Sequence, residues 1–251
     1  MSTEPETTAL AEAIASAGRI ALFTGAGIST ESGIPDFRSP GGIWTRKTSI
    51  LFQDFLDSEE ARQEAWRRRF EGDAAMRAAR PNRGHRAVEA LVRRGRARAV
   101  VTQNIDGLHQ QSGLDAAQVI ELHGNTTYAA CLECDTRHEM DEMRAAFEAG
   151  GRSPRCRRCL GLVKTATVSF GQPMPEAAMR RAREEAQAAE LFIVLGSSLV
   201  VYPAAALPVL AVQNGARLAI VNREPTPMDE IADIVVRRPI GEAFGDAVGV
   251  N

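Results

Sequence analysis

The chain has 251 residues, 44% of them hydrophobic and 25% charged, enough to bury a full core and ordinary for a globular protein. Thirty Lys and Arg against 32 Asp and Glu leave a net charge of −2, which excludes a non-specific electrostatic grip on nucleic acid. No apolar run approaches the ~20 residues of a membrane span, and Met1–Thr8 lacks the basic-then-apolar order of a secretion signal, so a cytoplasmic protein is expected.

A helix is predicted over 9–18, with Leu10, Ala13, Ile14 and Ala17 on one face and Gly18 as its stop. The apolar strand 19–24 then runs into Gly25-Ala26-Gly27-Ile28-Ser29, a small-residue turn of the kind that presents backbone N–H groups to a phosphate. The next glycine is Gly33, so the spacing departs from G-x-G-x-x-G, and a plain strand–turn–helix is the alternative. From 46 to 80 the composition shifts to Phe, Arg and Glu, with amphipathic helices near 51–57 and 59–71. Trp66-Arg67-Arg68-Arg69 within them reads as a solvated helix face rather than a functional basic patch.

Pro81-Asn82-Arg83-Gly84-His85 opens another helix, on whose apolar face His85 reads as a packed residue and not a ligand. The strand Arg98–Thr102 delivers Gln103-Asn104-Ile105-Asp106-Gly107-Leu108-His109, a polar cluster at a strand's C-terminal end, where open α/β sheets bind ligands. Asn, Asp and Gly also make ordinary turns. A third strand, Val119–Leu122, ends at His123-Gly124, which suits a general base but is equally a place for a structural histidine.

Cys131-x-x-Cys134 and Cys156-x-x-Cys159 hold every cysteine of the chain in two chelating knuckles. Two such pairs complete a tetrahedral Cys₄ shell with no open position, so one structural Zn²⁺ is expected, within a small module over 126–164. An exposed-edge strand is predicted over Thr167–Gly171, then a helix over 175–189, a buried strand ending in Gly196-Ser197-Ser198, a helix over 203–213, a strand ending at Asn222 and a last helix near 240–248. Asn222 sits where a Rossmann fold places its ribose-binding group. The alternation predicts an α/β fold: a Rossmann-like doubly wound parallel sheet (9–45, 81–125 and 165–251) with a helical insertion (46–80) and a small zinc-ribbon module (126–164).

Taken together, Gly25-Ala26-Gly27-Ile28-Ser29, Gly33-Ile34-Pro35-Asp36-Phe37-Arg38-Ser39, Thr102–His109 and Glu121-Leu122-His123-Gly124 resemble the motifs of the sirtuins, NAD-dependent protein lysine deacylases, over about residues 10–245. The resemblance implies that NAD places its pyrophosphate on Gly25, Ala26 and Gly27 beside Arg38, with Gly196, Ser197 and Ser198 at phosphate or ribose and Asn222 at the adenine ribose. It implies a nicotinamide pocket of Ala26, Ile34, Asn104, Ile105 and Asp106, with Asp36, Phe37 and Arg38 over that end of the cofactor and Gln103 orienting the ribose. His123 becomes the general base, and the acyl group passes from lysine to ADP-ribose as nicotinamide leaves. Acyl-lysine peptides would pair along Val168, Phe170 and Gly171. Ser169 and Gln172 depart from the family's usual strand, which bears on peptide choice. Desuccinylating members carry a Tyr-x-x-Arg pair; Trp66 and Arg69 stand nearest to it, so acetyl is expected over acidic acyl groups. Longer-chain deacylation and mono-ADP-ribosyl transfer are the alternatives. A monomer acting on acyl-lysine proteins, without nucleic acid or membrane, is expected.

Overall fold

A computed structural model of the chain describes residues 5–36 and 48–251; Phe37 and Arg38 of the predicted cofactor loop lie outside the described residues. The described strands are β1 (Ile20–Thr24), β2 (Val100–Thr102), β3 (Val119–Glu121), β4 (Gly124–Cys131), β5 (Arg137–Glu139), β6 (Val163–Thr167), β7 (Leu191–Leu195), β8 (Arg217–Val221) and β9 (Ile234–Val236). The helices are α1 (Pro5–Ser16), α2 (Phe52–Asp57), α3 (Glu59–Glu71), α4 (Asp73–Ala78), α5 (Arg83–Arg93), α6 (Leu108–Gln111), α7 (Met140–Gly150), α8 (Glu176–Gln187), α9 (Ala206–Gln213) and α10 (Ile240–Val248).

Six strands form a parallel sheet in the order β3-β2-β1-β7-β8-β9. Both of its faces are covered, which is why β1 and β7 read as unbroken apolar runs. Leu22 and Ile193 point to one side, among Leu10, Val88, Leu91 and Phe244 of α1, α5 and α10. Phe23 and Phe192 point to the other, against Met179, Ala182 and Leu207 of α8 and α9, with their rings 5.9 Å apart. Strand order reverses at β1, which lies between β2 and β7. The crevice beyond the C-terminal ends of these strands is therefore the place where a doubly wound sheet binds its ligand.

β4, β5 and β6 form a separate antiparallel sheet in the order β5-β4-β6, backed by α7. This unit is too small to close its own core. It borrows Trp66 and Phe70 from α3: Trp66 is 1% exposed and packs with Ala129, Met140, Met143 and Val163. Arg69 is also turned inward. It donates to Asp73 (2.8 Å) and to the main-chain oxygen of Thr126 (2.9 Å), while Asp73 accepts from Arg77 and Arg144 as well. Three guanidiniums hold the Asp73 carboxyl down at about 2 against the cost of its burial, so this hub fastens the insertion to the small module. The solvated-face expectation thus fails for Trp66 and Arg69, because the small sheet takes apolar cover from α3 as well as from α7, and holds for Arg67, which is exposed.

The predicted edge strand over Thr167–Gly171 is also corrected. Strand pairing ends at Thr167, and 168–172 turn away: the Ser169 amide donates to the Gln172 side chain (3.1 Å), and Gly171 takes φ +83. The short strand β9 and helix α4 were not anticipated. No helix among the described residues is long and apolar enough to cross a membrane.

Candidate active site

β1 ends at Thr24, and the chain enters a 3₁₀ helix over Ala26–Ser32 that closes at Gly33 in the left-handed region. Its turn lies directly on the turn after β7. The Gly25 amide donates to Leu195 O (3.0 Å) and the Gly27 amide to Gly196 O (2.8 Å). A Cβ on Gly25 would stand 2.6 Å from Gly196 O, and one on Gly27 2.7 Å from Gly196 Cα, so glycine is required for the two loops to touch. Gly196 itself has φ +68. Gly196→Ala is expected to destabilise the fold by about 2–4 kcal/mol, combining left-handed strain with the clash, and to raise KM for NAD. Gly215→Ala, where φ is +90 and nothing lies within 4 Å, is expected to cost only about 1–2 kcal/mol and to leave KM alone; thermal melts and KM for the pair check this.

The loop after β2 is bound into the same junction. Asn104 donates through its side chain to Gly25 O (3.0 Å) and Ser29 Oγ (3.2 Å), and Ser29 donates to the Asp106 carboxylate (2.7 Å). Leu108 N donates to the other Asp106 oxygen (2.9 Å). Burial raises the Asp106 pKa, and these two hydrogen bonds oppose the rise. Behind the loop, buried His109 donates from Nε2 to Thr24 Oγ1 (2.9 Å), Thr24 donates to Thr102 Oγ1 (2.8 Å), and the Asn104 amide donates to the same oxygen (3.0 Å). Burial pushes the His109 pKa far down and that of His85 beside it to about 4, so both rings are neutral supports, as predicted for His85.

Gln103 reaches across the crevice and donates to Ser197 Oγ (2.8 Å). His123 Nδ1 lies 3.0 Å from Gln103 O. A carbonyl oxygen can only accept, so Nδ1 carries a proton, and whenever the ring is neutral its lone pair lies on Nε2, the form a general base needs. Most of the residues predicted to hold a dinucleotide converge on one cleft of about 340 Å³ with the predicted base His123: Gly25, Ala26, Gly27 and Asp36 from the first turn, Gln103 and Asn104 from the second, and Gly196, Ser197, Ser198 and Asn222 beyond, whereas Ile105 and Asp106 do not line it. Asn222 donates to Glu224 O (2.7 Å), and Arg237 caps the Asn222 and Glu224 main-chain oxygens (both 2.8 Å).

A second cavity of about 370 Å³ shares Ala26 and Asn104 with the first. It continues past Ile105 and Asp106 to an apolar wall of Ile34, Ile50, Phe55, Trp66 and Met76. Val168, Phe170 and Gly171 line neither cavity, although Ser169 lines the second and the Val168 amide donates to His123 O (2.9 Å). Phe170 is half exposed, and its main-chain oxygen accepts from Phe52 N (2.8 Å). The sequence reading missed Thr24, Asn82 and Trp66. Asn82 both caps α5 and donates to Ile28 O (2.7 Å) and Ser32 Oγ (2.9 Å), pinning the first loop; its cap signature was visible, but its second partner was not.

The Sγ atoms of Cys131, Cys134, Cys156 and Cys159 all lie within 4.8 Å of one another, with three of the separations at 3.4–3.7 Å. Tetrahedral thiolates at the Zn–S distance of about 2.3 Å are about 3.8 Å apart, so the four sulfurs are positioned to bind one zinc ion. Asp135 and Leu160, each following the second cysteine of a knuckle, have positive φ, and Glu133 N and Arg158 N point at Cys131 and Cys156 sulfur.

The Sir2 family profile matches residues 25–203. An NAD-dependent protein deacetylase of Rhodopseudomonas palustris is 58% identical over 96% of this chain and 95% of its own length. An NAD-dependent protein deacylase 2 of Archaeoglobus fulgidus is 40% identical over 96% and 94%. A solved Sir2 structure with a deacetylated p53 peptide and 3′-O-acetyl ADP ribose superposes with a TM-score of 0.88 at 38% identity, covering 96% of each chain. With its reversed sheet, its histidine-bearing crevice and its four-cysteine knuckle, the chain belongs to the Sir2 family.

Proposed function

We infer that this protein is an NAD-dependent protein lysine deacylase that moves the acyl group from lysine to ADP-ribose and releases nicotinamide. The observation that carries the reading is the 3.0 Å contact of His123 Nδ1 with Gln103 O, within the cleft that also holds Gly25, Gly27, Gly196 and Ser197. NAD, when bound, supplies a cationic nicotinamide leaving group on a ribose carbon. The residues of this chain provide positioning and shelter. Gly25 to Gly27 and Gly196 to Ser198 would take the pyrophosphate and nearby ribose, and Asn222 with Glu224 the adenine ribose. Asn104 and Asp106, held by Ser29 and Leu108, would fix the carboxamide; Gln103 would orient the reacting ribose and His123 Nε2 would accept its hydroxyl proton. Asp36, with Phe37 and Arg38, would cover that end. Such a leaving group gains more from positioning and exclusion of water than from a strong nucleophile.

Acyl-lysine proteins would be the substrates, docking across Val168, Phe170 and Gly171. Acetyl is the preferred group. The guanidinium of Arg69 is committed to Asp73 and Thr126 O, leaving it poorly placed to receive a carboxylate on an acidic acyl chain. A second reading, preference for longer acyl chains, is favoured by the apolar wall of the second cavity, which extends well past what an acetyl group fills. Ranking acetyl, butyryl, octanoyl and succinyl peptides by kcat/KM, with nicotinamide release as the readout, tests both. Acetyl first supports the primary reading, octanoyl ahead by about tenfold or more replaces it with the second, and no NAD-dependent turnover of any peptide overturns both.

A further inference from the structure

Of the 30 basic residues, 28 are arginine; only Lys47 and Lys164 are lysine. Lys164, in β6, is 6% exposed and more enclosed than any described arginine. It lines the second cavity with Trp66, Asn104 and Asp106. Its ammonium donates to the main-chain oxygens of Thr165 (3.4 Å) and Thr167, and it makes no ion pair with a carboxylate of the described residues. A guanidinium stays charged at every accessible pH, whereas an amine can shed its proton and become a nucleophile. Among the described basic residues that line this cavity, the most enclosed therefore carries the group that can react.

We propose that Lys164 is an acylation site, modified by small acyl phosphates that enter the second cavity, and that its acylation blocks the binding of acyl-lysine peptides. In the step, the neutral Nζ attacks the carbonyl carbon of the acyl phosphate. The C–N bond forms as the C–O bond to phosphate breaks, inorganic phosphate leaves, and the surplus amine proton passes to water. Burial lowers the Lys164 pKa to about 8, so about a tenth of it is neutral at pH 7, against less than a thousandth of an ordinary lysine.

The consequence follows from position. Acylation removes the charge, spoils the donation to Thr167 O and places an acyl group inside the cavity assigned to the substrate's acyl chain. Thr167 is the Cα partner of Gly124, and the next residue, Val168, donates to His123 O, so the disturbance also reaches the base. The inference rests on the deacylase reading for what it blocks, but not for the chemistry at Lys164.

The test treats the full-length protein with acetyl phosphate, maps acetylation by mass spectrometry, and measures acetyl-peptide binding by calorimetry. The chain's two lysines make the map unambiguous. Acetyl on Lys164 is expected, with peptide affinity falling about tenfold or more in proportion to occupancy. Lys164→Arg and, should that variant not fold, Lys164→Met are expected to keep their own untreated affinity after treatment, whereas Lys47→Arg stays sensitive. An unmodified Lys164 beside an acetylated Lys47 would overturn the proposal, as would equal loss of binding in Lys164→Arg or Lys164→Met. Neither readout requires turnover, so an untreated protein that binds acetyl peptide yet deacylates nothing would count against the deacylase reading alone.

Discussion

Replacing His123 by alanine is expected to lower kcat/KM for acetyl-peptide deacylation by about 10²–10⁴-fold, the usual range for loss of a positioned general base. The size of the effect follows from where the ring stands, in the cleft that also holds Gly25, Gln103 and Ser197. His123 is half-buried immediately before β4, and its Nδ1 bonds the main-chain oxygen of Gln103. The backbone contact that links it to the peptide-side loop, Val168 N to His123 O, survives any side-chain substitution. Melting temperature and NAD affinity should therefore barely change, so the loss would be chemical. His123→Asn should be nearly as damaging, because an amide keeps a donor but offers no basic nitrogen. Activity of either variant within about threefold of the parent, in a folded and NAD-binding protein, would remove His123 from the mechanism.

How much of this was legible in the sequence depends on the range of the forces involved. The turns at Gly25–Gly27 and Gly196–Ser198 were legible because each follows a five-residue apolar strand, and a doubly buried parallel strand leaves few other ways to end. The cysteine knuckles were legible because chelation fixes spacing. Trp66 and Arg69 were misread because their burial is decided by a sheet about 60 residues further along the chain that lacks a core of its own. The strand near Thr167 was placed a few residues late for a related reason. Val168-Ser169-Phe170 alternates as a strand should, but β6 pairs with β4, and that ladder ends where Gly124 meets Thr167. Asn82 and Thr24 show the same limit: their residue types suggest caps and strands, while their partners, Ile28 O and His109, are set only by the fold.

Removing the zinc is expected to abolish deacylation while leaving the large sheet folded. The small unit has three strands, one of them three residues long, the helix α7, and a buried cluster of seven residues, of which Trp66 is borrowed from α3 and Cys131 and Cys156 are ligands. A structural Zn²⁺ supplies about 10–16 kcal/mol of apparent binding energy at neutral pH, more than so small a core can. Without it, four thiols remain and the two αL residues, Asp135 and Leu160, lose the coordination that offsets their strain. The damage travels along the strands. β4 begins at Gly124, beside His123, and β6 ends at Thr167, beside the Val168 amide that donates to His123 O, so melting this sheet releases the base from one side. By contrast β1 and β7 pair over five residues, with both faces buried in clusters that include no residue of 126–164. Hydrogen exchange after chelation, or in Cys131→Ser, should therefore show lost protection in β4 to β6, retained protection in β1 and β7, and loss of one equivalent of zinc per chain. Uniform loss across both sheets would mean that the large sheet depends on the module for its stability. Full activity in a metal-free protein would mean that the knuckles do not hold the base in place.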